Sequence, residues 1–298
     1  MRKGNIFVTL IFFLAVFAQT ISAAEIKAVR NGSKIDVTID GIFFTSYIFS
    51  TEEKYPFFFP VNGPATVGSV TSMRNGDYPH HSSLFFTCDK VNGGNYWAEG
   101  LDRGQIVSNG AKIVEQGARV VITDECIWQR PGVDSPLKDT RRIAITAPAK
   151  DIWQIDFEII VETLNDVEIL KNNHSLFCAR VAVDISVNNG GVMVNAEGDK
   201  NQSATNGTPS GWMDYHGKRG SKTEGIAIMQ HPSNPGYPIP WMTRDYGFIT
   251  PTPMFWIPNE SISFRKGEKI ALRYRVLVHA GDHITADIAG QFEKYKNN

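Results

Sequence analysis

Three histidines stand in two segments whose composition suits proton transfer. His80 and His81 follow Pro79 within residues 69–86, and His174 opens a run that alternates apolar and polar residues. An imidazole exchanges a proton near neutral pH, so it often serves as a general acid or base in enzymes. We therefore predict that His80, His81 and His174 are catalytic. The same histidines could instead bond the backbone carbonyls of a turn, and that alternative stays open.

A second group of residues has the composition of a sugar-binding surface. Aromatic faces pack against the C–H surface of a sugar, and Arg, Asn and Asp side chains bind hydroxyls. The density of proline and glycine between 212 and 247 predicts a long irregular loop, and such loops are usually functional, although a structural loop would need the same residues. The predicted substrate-binding residues are Arg74, Trp97, Arg180, Trp212, Tyr215, His231, Asn234, Trp241, Arg244, Asp245 and Tyr246.

Metal and nucleotide chemistry find little support in the spacing of the residues. The sequence has no HxH or HExxH motif, and no GxSxG, P-loop or GxGxxG setting. We therefore predict no cofactor, with a divalent metal as the alternative left open. Its candidate ligands would be His80, His81, His174, His216, His231 and Glu99.

The elements that must position these residues are β-strands. Apolar and polar residues alternate over 35–39, 153–161, 174–187 and 272–278, whereas one short helix is predicted at 286–295. A period of two over such lengths predicts antiparallel strands with one buried face, and hence an all-β protein. His174 and Arg180 share the polar face of one predicted strand. Adjacent residues of an extended chain point to opposite sides, so His80 and His81 are expected to diverge.

Composition and charge narrow the class of protein further. The 298 residues are 42% hydrophobic, and 30 basic against 31 acidic residues give a net charge of −1. This balance, without a run of Lys or Arg, argues against a nucleic-acid partner. The three cysteines, Cys88, Cys126 and Cys178, lie in apolar surroundings without a CxxC motif, so we predict buried free thiols.

The first residues have the pattern of an export signal. Arg2 and Lys3 precede an apolar stretch at 6–17 and small residues at 20–24, which predicts a secretory signal peptide over 1–23. The apolar stretch is too short to span a bilayer. We expect a single β-sandwich domain over 24–298, exported to the periplasm or the extracellular space, without a membrane span and with its oligomeric state open.

A set of short segments occurs in one order along the chain: Pro79-His80-His81, Val91-Asn92-Gly93, Tyr96-Trp97, Asp214-Tyr215-His216-Gly217, His231-Pro232-Ser233-Asn234-Pro235 and Arg244-Asp245-Tyr246-Gly247. Through these segments the chain resembles the family known as methane oxygenase PmoA-like over about residues 55–260.

A weaker resemblance links Asn173-His174-Ser175-Leu176-Phe177 to galactose mutarotase-like aldose epimerases. It implies a β-supersandwich in which His174 is the general acid on the sugar ring oxygen. It also implies that Arg74 and His80 or His81 bind hydroxyls. The carboxylate base of those enzymes has no matching motif here, and Asp245 and Glu224 are the candidates.

Together these features predict an exported carbohydrate-active enzyme. It would use histidine-based general acid/base chemistry on a sugar or oligosaccharide, with a lyase or hydrolase preferred and an epimerase also open. The alternative is a non-catalytic carbohydrate-binding protein that stacks sugars on Trp97, Trp212 and Trp241. A metal-dependent oxygenase, as the PmoA-like label implies, is the third hypothesis.

Overall fold

The chain folds mainly into β-strands, as the alternating patterns predict. The computed structural model describes residues 24–76, 78–98 and 100–297, so the predicted signal peptide lies outside the described residues. Within them there are nineteen strands, two helices and four 3-10 turns.

The strands are β1 (Ile26–Asn31), β2 (Lys34–Ile39), β3 (Ile42–Ile48), β4 (Phe57–Val61), β5 (Leu84–Cys88), β6 (Gln105–Ser108), β7 (Lys112–Glu115), β8 (Val120–Arg130), β9 (Val133–Ala149), β10 (Ile152–Thr163), β11 (Val167–Leu170), β12 (Ser175–Arg180), β13 (Val192–Asn195), β14 (Trp212–Arg219), β15 (Lys222–Gln230), β16 (Trp241–Arg244), β17 (Phe248–Pro251), β18 (Ser261–Phe264) and β19 (Lys269–Ala280). The helices are α1 (Asn201–Thr205) and α2 (Ile288–Tyr295), and the 3-10 turns are Leu101–Arg103, Val183–Ile185, Val187–Asn189 and Pro253–Phe255.

Two large antiparallel sheets contain most of these strands. The first sheet has eight strands in the order β1-β2-β3-β4-β5-β12-β17-β16. The second has nine, in the order β13-β14-β15-β19-β10-β9-β8-β6, with β7 pairing on β8. A small third sheet joins β11 to β18.

Aromatic side chains pack the two large sheets face to face. Phe157 on β10 contacts Phe58 on β4 and Phe177 on β12, with ring centroids 5.7 and 4.8 Å apart. Phe177 also stacks on Tyr274 of β19 at 4.6 Å. The predicted fold class, an all-β sandwich of antiparallel sheets, is therefore confirmed. The three cysteines are free and buried, also as predicted.

Two predicted elements differ from the structure. The strand predicted over 174–187 ends at Arg180, because the chain then enters two 3-10 turns whose apolar residues continue the alternation, Ile185 among them. The loop predicted over 212–247 instead contains the strands β14, β15 and β16. The first of them, β14, is buried on both faces and so lacks the polar alternation of a half-exposed strand. Gly217 in β14 allows the 3-10 turn Val183–Ile185 to pack closely against this strand, since a Cβ at Gly217 would stand 2.8 Å from the Ile185 Cα.

Helix α2 covers the outer face of the second sheet. The Asp287 side chain caps its first turn by accepting a hydrogen bond from the Gly290 N–H. Phe292 and Ile288 pack into a separate apolar cluster with Trp212 and Leu277 of the sheet. The predicted helix at 286–295 thus matches α2 closely. Neither helix in the described part of the chain has the length and apolarity of a membrane-spanning segment.

Candidate functional site

The pairing of β5 with β12 brings the two histidine segments to one side of the first sheet. Ala179 pairs with Leu84 and Ser175 pairs with Cys88, so each strand begins where the other ends. The Arg180 N–H donates to the Ser83 carbonyl at 2.6 Å, just after His81. Residues before β5 and residues at both ends of β12 therefore meet, although they are distant in sequence.

The site lies on the face of the first sheet that points away from the second sheet. Phe177 of β12 points inward and packs on Phe157 and Tyr274, as described above. Phe85 of β5 points the other way and packs on Tyr55 and Trp97, with centroids 5.0 and 5.2 Å apart. The alternation of the strands thus turns one set of side chains to the core and the other to the site.

Four rings form what we call the histidine cluster: His80, His81, His174 and Trp97. The His80 centroid lies 4.5 Å from that of His81 and 6.2 Å from that of His174. The His174 ring stacks on Trp97 at 4.9 Å and 20°. The expectation that His80 and His81 diverge was wrong, because residues 78–81 form a turn in which the His81 N–H donates to the Tyr78 carbonyl.

His174 has a carboxylate partner that the sequence did not reveal. Its Nδ1 lies 3.6 Å from Asp89 Oδ2, and about a third of its side chain is exposed. The Asp89 N–H donates to the His174 carbonyl at 2.9 Å, which fixes the two residues side by side. No motif marks Asp89, because its place next to His174 follows from the register of β5 and β12.

The other two histidines are held neutral by their surroundings. His81 is buried between Phe248 and Tyr78, with ring centroids 4.4 and 5.0 Å away. Burial, followed by the neighbouring His80, Arg180 and His174, lowers the pKa of His81 to about 2. Burial and the adjacent His174 also lower the pKa of His80. A neutral imidazole offers one donor and one acceptor, so both rings are suited to hydroxyl binding.

Arg180 lies beside the histidine cluster against two tyrosine rings. Its Cζ is 4.6 Å from the Tyr246 centroid and 5.3 Å from that of Tyr78. The two tyrosine rings stack on each other at 4.4 Å. Burial lowers the pKa of Arg180. Its Nε and Nη1 atoms are buried and have no hydrogen-bond partner among the described residues.

A polar cavity of about 260 Å³ opens next to the cluster. Its walls combine charged and hydroxyl groups with aromatic rings, and include Lys54, Tyr55, Arg74, His80, Ser82 and Trp97. The Tyr55 hydroxyl donates to the His80 carbonyl at 2.7 Å and so anchors the turn. At the rim, Arg74 pairs with Glu53.

A larger cavity of about 410 Å³ has a different character. Its walls are almost entirely apolar and include Phe86, Trp128, Leu176, Met254 and Trp256. Cys88 also lines it, and burial raises the pKa of that thiol well above its usual value. With no other titratable side chain, this cavity is not suited to acid/base chemistry.

The structure brings only some of the predicted substrate-binding residues to the cluster. Trp97, Arg180 and Tyr246 lie in it or beside it, and Arg74 lies at the cavity rim, as described above. Tyr78 and Phe248 also lie at the cluster, against His81, although no sequence motif identified them as site residues.

Arg244 and Asp245 directly precede Tyr246 and bond to residues outside the histidine cluster. Arg244 Nη1 donates to Asn206 Oδ1 at 2.8 Å, and Asp245 Oδ1 accepts from the Gln202 N–H at 2.8 Å. The hydroxyl of Tyr215 donates to the Asp245 carbonyl at 3.0 Å and accepts from the backbone N–H of Val187. These contacts hold the chain that carries Tyr246.

Four other predicted residues are not brought to the cluster. Trp212 packs under α2, and Trp241 is buried with its Nε1 donating to the Ser210 carbonyl. His231 packs on Tyr295. The Asn234 side chain bonds the backbone of Arg273 through both its amide nitrogen and its oxygen, at 2.8 Å each. A glycine- and proline-rich segment signalled a functional loop, but these side chains stabilise the packing around it.

Neither carboxylate suggested as a base stands free at the cluster. Asp245 is engaged as above. Glu224 is buried, with Oε1 2.8 Å from Arg219 Nη1 and Oε2 accepting from the Thr66 N–H. The carboxylate that does adjoin the cluster is Asp89.

Within the described ranges, one group of side chains has the spacing of metal ligands, and this group lies away from the histidine cluster. Asp214, His216 and His283 place ligand atoms within 4.8 Å of one another on the outer side of the second sheet. Burial alone would raise the pKa of Asp214, but His279 and His216 hold it at about 2. Asp214 already binds both rings, at 2.7 and 2.5 Å. Glu99, a further candidate ligand, lies outside the described residues.

Three solved structures show distant likeness to this chain. A candidate aldose 1-epimerase from Escherichia coli K12 is 11% identical with a TM-score of 0.31, and the match covers 87% of this chain and 99% of that one. A galactose mutarotase related enzyme from Lactobacillus acidophilus is 8% identical with a TM-score of 0.27, with coverage of 85% and 97%. Likeness at these scores carries no conclusion about activity.

The third structure is a polysaccharide lyase, 12% identical with a TM-score of 0.30. The match covers 88% of this chain but 33% of the lyase, so the chain spans about a third of the lyase's length. No curated protein matches the chain. The resemblance to PmoA-like proteins stays a prediction. The model of the family of unknown function DUF6807 matches residues 34–293, and the chain therefore belongs to that family.

Proposed function

We propose that this protein is a carbohydrate-active enzyme that uses His174 as its acid/base group. The observation that carries the proposal is the arrangement of His174 against Asp89 and Trp97, beside His80 and a polar cavity. Three chain segments come together to build this arrangement: the segment of His80, the segment of Asp89 and Trp97, and the segment of His174. Histidine, carboxylate and cavity together are the elements of general acid/base catalysis.

His174 is the member of the cluster placed to exchange a proton. Its Nδ1 faces the Asp89 carboxylate, which favours the tautomer that leaves Nε2 for the substrate. Stacking on Trp97 fixes the plane of the ring, so the proton is delivered in one direction.

The cavity beside His174 has the size and lining for a sugar ring. Its volume of about 260 Å³ is just below the usual range for small-molecule pockets, which favours one sugar residue over a long oligosaccharide segment. Ser82, His80 and Arg74 offer polar groups to hydroxyls. The buried rings of Tyr55 and Trp97 back the wall behind these groups.

Export favours degradation over epimerisation. The predicted signal peptide would place the enzyme where polysaccharides are encountered, and a lyase or hydrolase acts there on chain ends. Both reactions add a proton to the leaving oxygen, and a lyase also removes one from a sugar carbon; His174 is placed for such a proton transfer.

The other two hypotheses have less support. Stacking of sugars on exposed tryptophans is disfavoured, since Trp97, Trp212 and Trp241 are 0%, 5% and 0% exposed. An oxygenase centred on the histidine cluster would need three ligand atoms within metal-binding distance of one another, and the described residues of the cluster do not provide such a set.

The test is product analysis by mass spectrometry. The mature protein and its His174→Ala variant are incubated with a panel of plant and algal oligosaccharides, with His283→Ala as a control histidine outside the site. We expect products with the wild type and the control, and none with His174→Ala. A product one water lighter than the hydrolysis product identifies a lyase, whereas a mass-neutral change identifies an epimerase. Undiminished turnover by His174→Ala would overturn the proposal.

A further inference from the structure

We infer that the substrate is an acidic sugar and that Arg180 binds its carboxylate group. This inference rests on the proposed function and names the class of its substrate. The observation behind it is a buried guanidinium without a counterion: Arg180 is 4% exposed, and its Nε and Nη1 have no hydrogen-bond partner in the described ranges.

Other enclosed arginines of this chain show that such isolation is not the rule. Arg141 Nε lies 2.6 Å from Asp139 Oδ1, and Arg275 Nε lies 2.7 Å from Asp156 Oδ1. Among the described residues, the contacts of the Arg180 guanidinium are with the faces of the Tyr78 and Tyr246 rings. A ring face stabilises the positive charge but accepts no N–H in the guanidinium plane. A buried charge left in this state is unfavourable unless a ligand completes it.

Two more buried groups of the site also lack hydrogen-bond partners within the part of the chain that the structure describes. These are Trp97 Nε1 and His81 Nδ1, and their rings lie 6.4 Å apart. An indole N–H can only donate, a guanidinium can only donate, and a neutral imidazole can donate through Nδ1. Two groups that only donate, and an imidazole nitrogen that can donate, thus favour a ligand group that accepts hydrogen bonds.

An ionised carboxylate is the sugar substituent that meets this demand. It accepts hydrogen bonds with both oxygens and donates none, and its planar fork matches a guanidinium. Hydroxyls, by contrast, would bring a donor into a place already crowded with donors. Because Trp97 also lines the polar cavity, a carboxylate at Arg180 would leave the sugar ring to occupy that cavity next to His80.

Tyr78 is the cover over Arg180. Its ring lies on the guanidinium and is sandwiched between His81 and Tyr246, at 5.0 and 4.4 Å. It belongs to the turn before β5 and is itself partly exposed. We expect a ligand to displace this ring as it reaches the buried nitrogens, so shortening the Tyr78 side chain should ease binding rather than abolish it.

The test compares acidic oligosaccharides with their own methyl esters by isothermal titration calorimetry. The panel holds uronic-acid oligosaccharides, the methyl ester of each, and sulfated neutral oligosaccharides. For the wild type we expect at least about tenfold tighter binding of a free acid than of its ester. This comparison needs no variant. Equal affinity for acid and ester across the panel, or no binding of either, would overturn the inference, and so would a preference for sulfated sugars.

Variants then assign the effect to Arg180. Arg180→Gln is expected to lose the preference for the acid, Arg180→Lys to keep part of it, and Tyr78→Ala to retain it. Arg119→Gln serves as the control, since this exposed arginine pairs with Glu115 on the surface. A preference that survives in a folded Arg180→Gln variant would assign the anion to another group.

The outcomes separate this inference from the proposed function. Arg180-dependent binding of the acid without any turnover would leave the inference standing and reject the enzyme. Turnover of neutral sugars that depends on His174 but not on Arg180 would support the proposed function and overturn this inference.

Discussion

At the scale of single residues, environment assigns the roles that residue type leaves open. His80, His81 and His174 are the same chemical group, yet His81 is enclosed by two rings and beside Arg180, whereas His174 is partly exposed and faces Asp89. The sequence singled out all three histidines. The resemblance to aldose epimerases implied that His174 is the general acid, but residue type alone does not rank the three, because burial and the Asp89 contact arise only when the strands pair.

The buried neutral state of His81 makes a measurable prediction about stability. Its pKa falls from 6.5 to about 2 on folding, so between these values the unfolded chain binds a proton that the folded chain does not. The free energy of unfolding therefore decreases as pH falls below about 6.5, by about 1.4 kcal/mol per pH unit from this residue.

The check is urea denaturation of the wild type and His81→Gln between pH 4.5 and 7.5. The wild type should lose stability relative to His81→Gln as the pH falls, because glutamine takes up no proton. This range also avoids Asp214, whose pKa of about 2 makes its contribution disappear only at lower pH. Parallel curves over the whole range would show that His81 titrates normally.

At the scale of elements, the strands of the first sheet position the site, whereas helix α2 covers the outer face of the second sheet. Alternation in the sequence predicted β2, β10 and β19, and the apolar period of the last residues predicted α2. The same reasoning mistook β14 for a loop. Aromatic residues in glycine- and proline-rich surroundings suggest a binding loop whether they face a ligand or a second core, and Trp212 faces the second core.

Truncation of α2's packing should destabilise the fold without affecting the site. Phe292 is 8% exposed and packs into the apolar cluster on the outer face of the second sheet. Phe292→Ala is expected to lower the free energy of unfolding by about 3–5 kcal/mol, and Phe292→Leu by less. Urea denaturation measures both effects. An effect of the alanine variant below that of the leucine variant would mean that α2 does not depend on this contact.

At the scale of the whole molecule, a sandwich of two sheets leaves the outer face of the first sheet for function. The sequence predicted the sandwich and the segments that build the site, because both depend on local patterns. It did not reveal Asp89, Tyr78 or Phe248, because their positions depend on which strands pair and in what register. The domain limits, export and the absence of a cofactor stay predictions.

The central claim, that His174 and Asp89 act as one acid/base unit, is tested most directly by steady-state kinetics on the first substrate found. The measurement compares the wild type with His174→Gln, Asp89→Asn and the double variant. We expect kcat to fall about 10²–10⁴-fold in His174→Gln. The fall should be smaller in Asp89→Asn, and the double variant should be no worse than His174→Gln, since Asp89 acts through that ring. An unchanged kcat in His174→Gln, or losses that simply multiply in the double variant, would contradict the account.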